Sequence, residues 1–164
     1  MTSILLTGAS GYVGSHLVTE LRSRGRRVRA LVRDPARADL PPDVDVRRGD
    51  VVKGTGLHEA LDGIHTAYYL IHSMSGGDDF VARDRAAAVN FGEAASAAGV
   101  ERVVYLGGLG PIGPEASIHL RSRHEVAVLL RERVPGFVYV RAAMVIGPGS
   151  ASFEMLRHLV GGCR

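Results

Sequence analysis

Ser3-Ile4-Leu5-Leu6-Thr7-Gly8-Ala9-Ser10-Gly11-Tyr12-Val13-Gly14 is the stretch that decides the fold. Its apolar run ends at a glycine, as a buried parallel strand does. From Tyr12 to Arg24 the apolar residues Val13, Leu17, Val18 and Leu21 recur at helical spacing, and Gly25 stops the pattern. The three glycines between strand and helix have separate tasks. Gly8 turns the chain off the strand, Gly11 lets the backbone approach a pyrophosphate, and Gly14 lets the helix pack on the sheet. The helix then points unpaired N–H groups and the positive end of its dipole at the phosphates. Glycine-rich strand-to-helix turns also occur without a ligand, so the strand before and the helix after carry the weight. A nucleoside-triphosphate loop is excluded, because no Lys-Ser or Lys-Thr follows the glycines and the sole lysine is Lys53.

Outward from this unit, strands and helices alternate. Strands are expected at Arg27–Val32, Val44–Val46, Thr66–Ile71, Arg102–Leu106 and Phe137–Val140. Helices are expected at Thr55–Leu61, Asp79–Ala98, Ile118–Arg133 and Ser152–Val160. Such alternation argues for one α/β domain over residues 1–164: a doubly wound parallel sheet, three-layer α/β/α, of the Rossmann type. The expected strand order is 3-2-1-4-5-6.

Composition fits a globular interior built from aliphatic residues: 46% of the chain is hydrophobic, aromatics reach only 5%, and tryptophan is absent. The net charge of +3 is small and its arginines are scattered, so no nucleic-acid partner is expected. No apolar stretch approaches the ~20 residues that span a bilayer, and no signal peptide opens the chain. A membrane is therefore not expected either. The lone cysteine, Cys163, excludes an internal disulfide and suits a cytoplasmic protein. The seven histidines are dispersed, with no cluster at metal-ligand spacing. Asp78, Asp79 and Asp84 read as an acidic helix start that suits the macrodipole. Ser73 and Ser75, beside Gly76-Gly77, lack the surroundings of a nucleophile.

Thr7-Gly8-x-x-Gly11-x-x-Gly14 resembles the turn of the extended and atypical short-chain dehydrogenase/reductases. Further stretches resemble their NmrA-like, NAD(P)H-binding branch: Val28 to Asp34, Gly49-Asp50-Val51, Tyr68 to Ser73, Val103 to Leu109 and Arg141 to Gly147. The likeness runs from residue 1 to about 160. It implies a nicotinamide dinucleotide held by Thr7, Gly8, Ser10, Gly11, Tyr12, Val13 and Gly14. It also implies that Asp50 and Val51 flank the adenine, and that Leu70, Ile71 and His72 line the adenosine side. Gly107 and Gly108 would lie near the nicotinamide. Leu70 and Ile71 are equally readable as buried strand, and His72 as a satisfied histidine at a strand end.

One expected element is missing. The family's usual reaction uses a tyrosine acid with a lysine four residues on, and that pair does not exist here. His119 and Arg123 stand in its place, and Gly107-Gly108-Leu109 in place of the usual serine. A histidine titrates near neutrality and so can donate a proton, whereas an arginine can hold a ribose or phosphate but not act as a base. Both are equally readable as surface residues of an amphipathic helix. NADP is expected over NAD. Val32, at the end of the second strand, cannot accept hydrogen bonds from the adenosine ribose, and Arg33 can meet a 2′-phosphate. Asp34, followed by Pro35, is expected to start a turn.

Two functions survive: an NADP-dependent oxidoreductase acting on a small carbonyl or quinone-like substrate, and a non-catalytic NAD(P)-sensing module. The likeness fades at Gly161 to Arg164, so a substrate lobe is expected beyond these residues. The oligomeric state stays open.

Overall fold

A computed structural model describes residues 3–73 and 79–161. The opening strand, β1 (Ser3–Thr7), leads through the glycine turn into α1 (Tyr12–Ser23). Then follow β2 (Arg27–Val32), a 3₁₀ turn at Pro35–Arg37, β3 (Asp45–Arg48), α2 (Leu57–Leu61) and β4 (Thr66–Tyr69). The second half comprises α3 (Phe80–Ala97), β5 (Arg102–Gly108), α4 (Ile118–Arg133), β6 (Gly136–Ala142) and α5 (Ala151–Gly161). The six strands form one parallel sheet in the order β3-β2-β1-β4-β5-β6, as the alternation predicts.

Period-two alternation divides the core between two faces. Leu5 of β1 joins Leu57, Leu61, Phe91 and Leu130 beneath α2, α3 and α4. Ile4 and Leu6 join Val18, Leu21, Val28 and Val44 beneath α1. Small residues on α3, Ala87, Ala88 and Ala95, let α4 close on it around the fully buried Phe91. The α1 layer is narrower than its counterpart. At the far edge of the sheet, Val138 and Val140 of β6 remain exposed.

Several boundaries differ from the sequence expectation, each for a physical reason. β3 lies later than Val44–Val46 because the charges that weakened the reading hold it in place. Asp45 takes Arg29 of β2 at 2.7 Å and Arg47 at 2.8 Å. α2 starts at Leu57 because Thr55 is drawn into a two-way backbone bridge with Asp50, at 2.9 and 3.1 Å. β4 stops at Tyr69 because the Leu70 N–H leaves the ladder for the Thr7 hydroxyl, at 3.2 Å. β6 runs on to Ala142, paired along its whole length with β5. A helix of five residues cannot sustain itself. α2 is held by the Arg29 guanidinium, which donates to the carbonyls of Ala60 (2.9 Å) and Asp62 (2.8 Å).

Candidate functional site

The order of strands reverses direction between β1 and β4, which is where open α/β sheets bind ligands at their carboxyl ends. A half-open groove of about 990 Å³ lies there. Its floor is the glycine turn. Gly8 adopts φ +72°, a conformation an L side chain rarely takes, and Gly11 N–H returns to Gly8 O at 3.0 Å. A Cβ on Gly14 would stand 2.1 Å from the Gly8 carbonyl oxygen, so helix and turn meet backbone to backbone. Gly11 caps α1 without a side chain, leaving its first-turn N–H groups free of side-chain partners. Thr7 ties the two diverging strands together, donating to Tyr68 O and accepting from Leu70 N, each at 3.2 Å.

Of the residues singled out in the sequence, Gly8, Ser10, Arg33, Asp50, Val51, Ile71 and His72 line this groove together. Thr7, Gly11, Tyr12, Val13 and Gly14 build the turn behind it, and Leu70 lies in the strand-end segment that Thr7 holds. Arg33 is exposed at the end of β2, and Arg37, on the 3₁₀ turn, reaches the same wall. Asp34 accepts the Ala36 N–H at 3.2 Å and caps that turn, as its Pro35 neighbour suggests. The Asp50 carboxylate is committed to its own loop, accepting from Val52 N at 2.8 Å. Asn90 of α3 braces that loop from behind by donating to Val51 O and Val52 O, both at 2.9 Å. Sequence reading missed Asn90 and Arg37; Arg37, two positions after Pro35, had only that turn as a local signal, and Asn90 gave none.

The β5 end is assembled differently. Gly107 and Gly108 close β5, and Arg123 of α4 lies against Gly108: a Cβ there would be 3.6 Å from the guanidinium. His119, one turn earlier, is exposed and stacks on Phe80 with ring centroids 4.6 Å apart. The pair thus meets two different surroundings, and only Arg123 turns to the end of β5. His72 is half-buried. Its Nδ1 is a buried atom with no hydrogen-bond partner among the described residues. Burial, then the Arg123 guanidinium, push the imidazole below its ordinary pKa, against the pull of Asp84. Asp84, in turn, does not sit at the helix start facing solvent. It is buried and accepts the Ser73 N–H at 2.9 Å. Asp78, Ser75, Gly76 and Gly77 lie outside the described residues. Among the described residues no cluster of His, Cys, Asp or Glu could hold a metal, and no helix is long and apolar enough to cross a membrane.

A parallel sheet with its groove at the strand reversal, floored by a glycine turn and a bare helix start, defines a dinucleotide-binding α/β protein. The sequence profile of the NAD(P)H-binding family matches residues 8–143, and the chain belongs to that family. It is 37% identical over 114 residues to a 3 beta-hydroxysteroid dehydrogenase/Delta 5-->4-isomerase of Mycobacterium tuberculosis, covering 62% of this chain and 30% of that protein. It is 33% identical over 154 residues to a ceramide reductase of Caulobacter vibrioides, covering 89% of this chain and 47% of that one. The chain therefore spans half or less of the length of these relatives. The fold is shared with the Bordetella bronchiseptica enzyme WbmG in complex with NAD, at a TM-score of 0.80 and 24% identity, over 98% of this chain and 60% of that one. Dehydrogenases and reductases thus surround it, and its cofactor is a nicotinamide dinucleotide.

The groove fits that group. Its glycine floor admits a pyrophosphate, and its β2 wall carries the guanidinium groups of Arg33 and Arg37.

Proposed function

We propose that this chain is the cofactor-binding unit of an NADP(H)-dependent oxidoreductase that exchanges hydride with a small carbonyl or quinone-like substrate. The carrying observation is the β2 wall: Val32 stands where an acidic residue would select NAD, and Arg33 and Arg37 line the groove just beyond it. Two guanidinium groups can share the three oxygens of a 2′-phosphate through parallel charge-assisted bonds. On this reading the turn from Thr7 to Gly14 holds the pyrophosphate. Asp50 and Val51 flank the adenine, Leu70, Ile71 and His72 line the adenosine side, and Gly107 and Gly108 face the nicotinamide. The bound nicotinamide supplies or accepts the hydride, while the chain's residues bind, orient and handle the proton.

Hydrogen bonds to charged groups contribute roughly 1.5–3 kcal/mol, which corresponds to a preference for NADPH of about 10- to 150-fold. Calorimetric titration of NADPH and NADH into wild type and Arg33→Ala tests this. The variant is expected to lose the preference, and equal affinities in wild type would refute it. One observation favours a non-catalytic NAD(P)-sensing module instead: His119, which stands in place of the family's tyrosine, turns to Phe80 and away from the groove. NADPH binding without turnover across a carbonyl and quinone panel would decide for that reading.

A further inference from the structure

Parallel sheets are buried on both faces, yet half of one face of this sheet is bare. On the α1 side, strand pairing sets Tyr68, Val104 and Val138 in one row and Leu106 and Val140 in the next. Phe137 and Tyr139, between the two valines, pack on the opposite core. α1 covers only the β1 and β2 part of its side, where Leu6 and Val28 are buried. Val104 and Leu106 are half-buried and belong to neither core cluster. Val138 and Val140 are 42% and 44% exposed.

A second apolar surface on the chain is just as open. Met155, Leu156, Leu159 and Val160 fall at i, i+1, i+4 and i+5 and so share one side of α5. Leu159 and Val160 are 66% and 76% exposed. The start of α5 is anchored. The Ser150 hydroxyl accepts the Phe153 N–H at 3.1 Å and donates to Val145 O at 2.9 Å, and Gly147 lies against the Tyr12 hydroxyl. Held in this way, the stripe of α5 meets solvent while the β5–β6 face of the same chain stays bare.

The two surfaces match in length and in charge. At 1.5 Å per residue the 11 residues of α5 extend about 16 Å. At 3.3 Å per step, β5 from Arg102 to Leu106 extends about 13 Å. Crossover helices run against the strands they cover, so a helix laid on this face would end at the amino ends of β4 and β5. A cavity of about 330 Å³ lies there, lined by Arg24, Arg26, His65 and Arg102 and by no carboxylate. Arg24 pairs with Glu20 and His65 with Glu101. The Arg26 and Arg102 guanidinium groups have no partner among the described residues. Guanidinium groups suit the open carbonyls and negative dipole end of a helix. The chain already uses one so, Arg29 on the last carbonyls of α2.

We propose that this chain pairs with a second copy of itself by exchanging α5. The stripe of each α5 lies on the β5–β6 face of the other copy, with its carboxyl end at Arg26 and Arg102. Each copy carries both halves of the contact, so a two-fold pair buries both surfaces twice and closes on itself. None of the residues involved lines the dinucleotide groove, so the pairing is independent of the cofactor reading.

The test follows the whole chain by sedimentation across a concentration series, with far-UV circular dichroism to check that each variant is folded. Wild type is expected to form a dimer. Val138→Asp and Leu159→Asp should each weaken it by roughly 30-fold or more, as loss of a central apolar anchor does. Arg26→Ala combined with Arg102→Ala should weaken it about three- to thirtyfold, the scale of two charges at a helix end. A cross-linking arm does not depend on the charged variants folding. Chains with Val138→Cys are mixed with chains with Leu159→Cys, both carrying Cys163→Ser, and a short bismaleimide should join one to the other.

Three results would overturn the proposal. One is a wild type that stays monomeric throughout the series, which would leave the bare face to some other occupant. Another is a dimer that both aspartate variants leave undiminished. The third is a link that forms within single chains carrying both cysteines and never between chains, which would make α5 the cover of its own sheet.

Discussion

The glycine turn that floors the groove and the region around the end of β5 are built on opposite plans. At the β1 end, backbone meets backbone: Gly14 packs on the Gly8 carbonyl, and every participant lies within one run of eight residues. At the β5 end, side chains from distant parts of the chain meet. Asp84 reaches Ser73 across 11 positions and Ser122 across 38, and Arg123 comes to Gly108 from α4. Local backbone construction tolerates almost no change, whereas an assembly of flexible side chains can be altered piece by piece. A fixed glycine turn beside an adjustable β5 end is what such a division permits.

The sharpest way to break this contrast is to add atoms at both ends. A Cβ on Gly14 meets only backbone, at 2.1 Å from Gly8 O and 2.8 Å from Ala9 Cα. Gly14→Val is expected to abolish dinucleotide binding and to destabilise the fold by about 3 kcal/mol or more, at the top of the overpacking range. Thermal melts and calorimetry would show both. At Gly108 the first atom met is the flexible end of Leu120, at 2.7 Å. Gly108→Ser is therefore expected to destabilise the fold less than Gly14→Val, toward the low end of the roughly 1–3 kcal/mol overpacking range. Equal damage from the two substitutions would erase the distinction.

Removing the carboxylate at the β5 end has an intermediate effect. Asp84→Ala leaves the Ser73 N–H and the Ser122 hydroxyl without their acceptor, and destabilisation of roughly 1–3 kcal/mol is expected in denaturant titrations. Asp84→Asn, which keeps an acceptor, should lose less.

The smallest effect is a slope. His72 has a lower pKa folded than the ~6.5 of an unfolded chain. Below that value the unfolded state binds more protons, so stability falls as the pH drops from neutrality through the window beneath it. Wild type should show this decline and His72→Gln should lack it. Matching slopes would mean that the imidazole is not buried as described.

The same division explains what could be read in advance. The glycine turn, the six strands and α4, correct to the residue at Ile118–Arg133, follow from short-range periodicity and punctuation. Arg33 was legible because it sits at a fixed offset from the turn. Asp84 read as helix-start charge because its partners are remote in sequence, and nothing local marks a carboxylate that will be buried. Asn90 was hidden for the same reason, since its partners are backbone carbonyls 38 and 39 residues away. The spacing of His119 from Arg123 is legible in the sequence, whereas Phe80, the ring on which His119 stacks, comes from another helix.

Arg29 carries a consequence of its own. Its guanidinium joins Asp45 on β3 to the last carbonyls of α2, so a helix too short to nucleate alone is coupled to the sheet edge. The bonds of that one side chain thus tie β2, β3 and α2 together beside β1. Loss of the Arg29 guanidinium would therefore be felt at three elements at once, the shortest helix most of all.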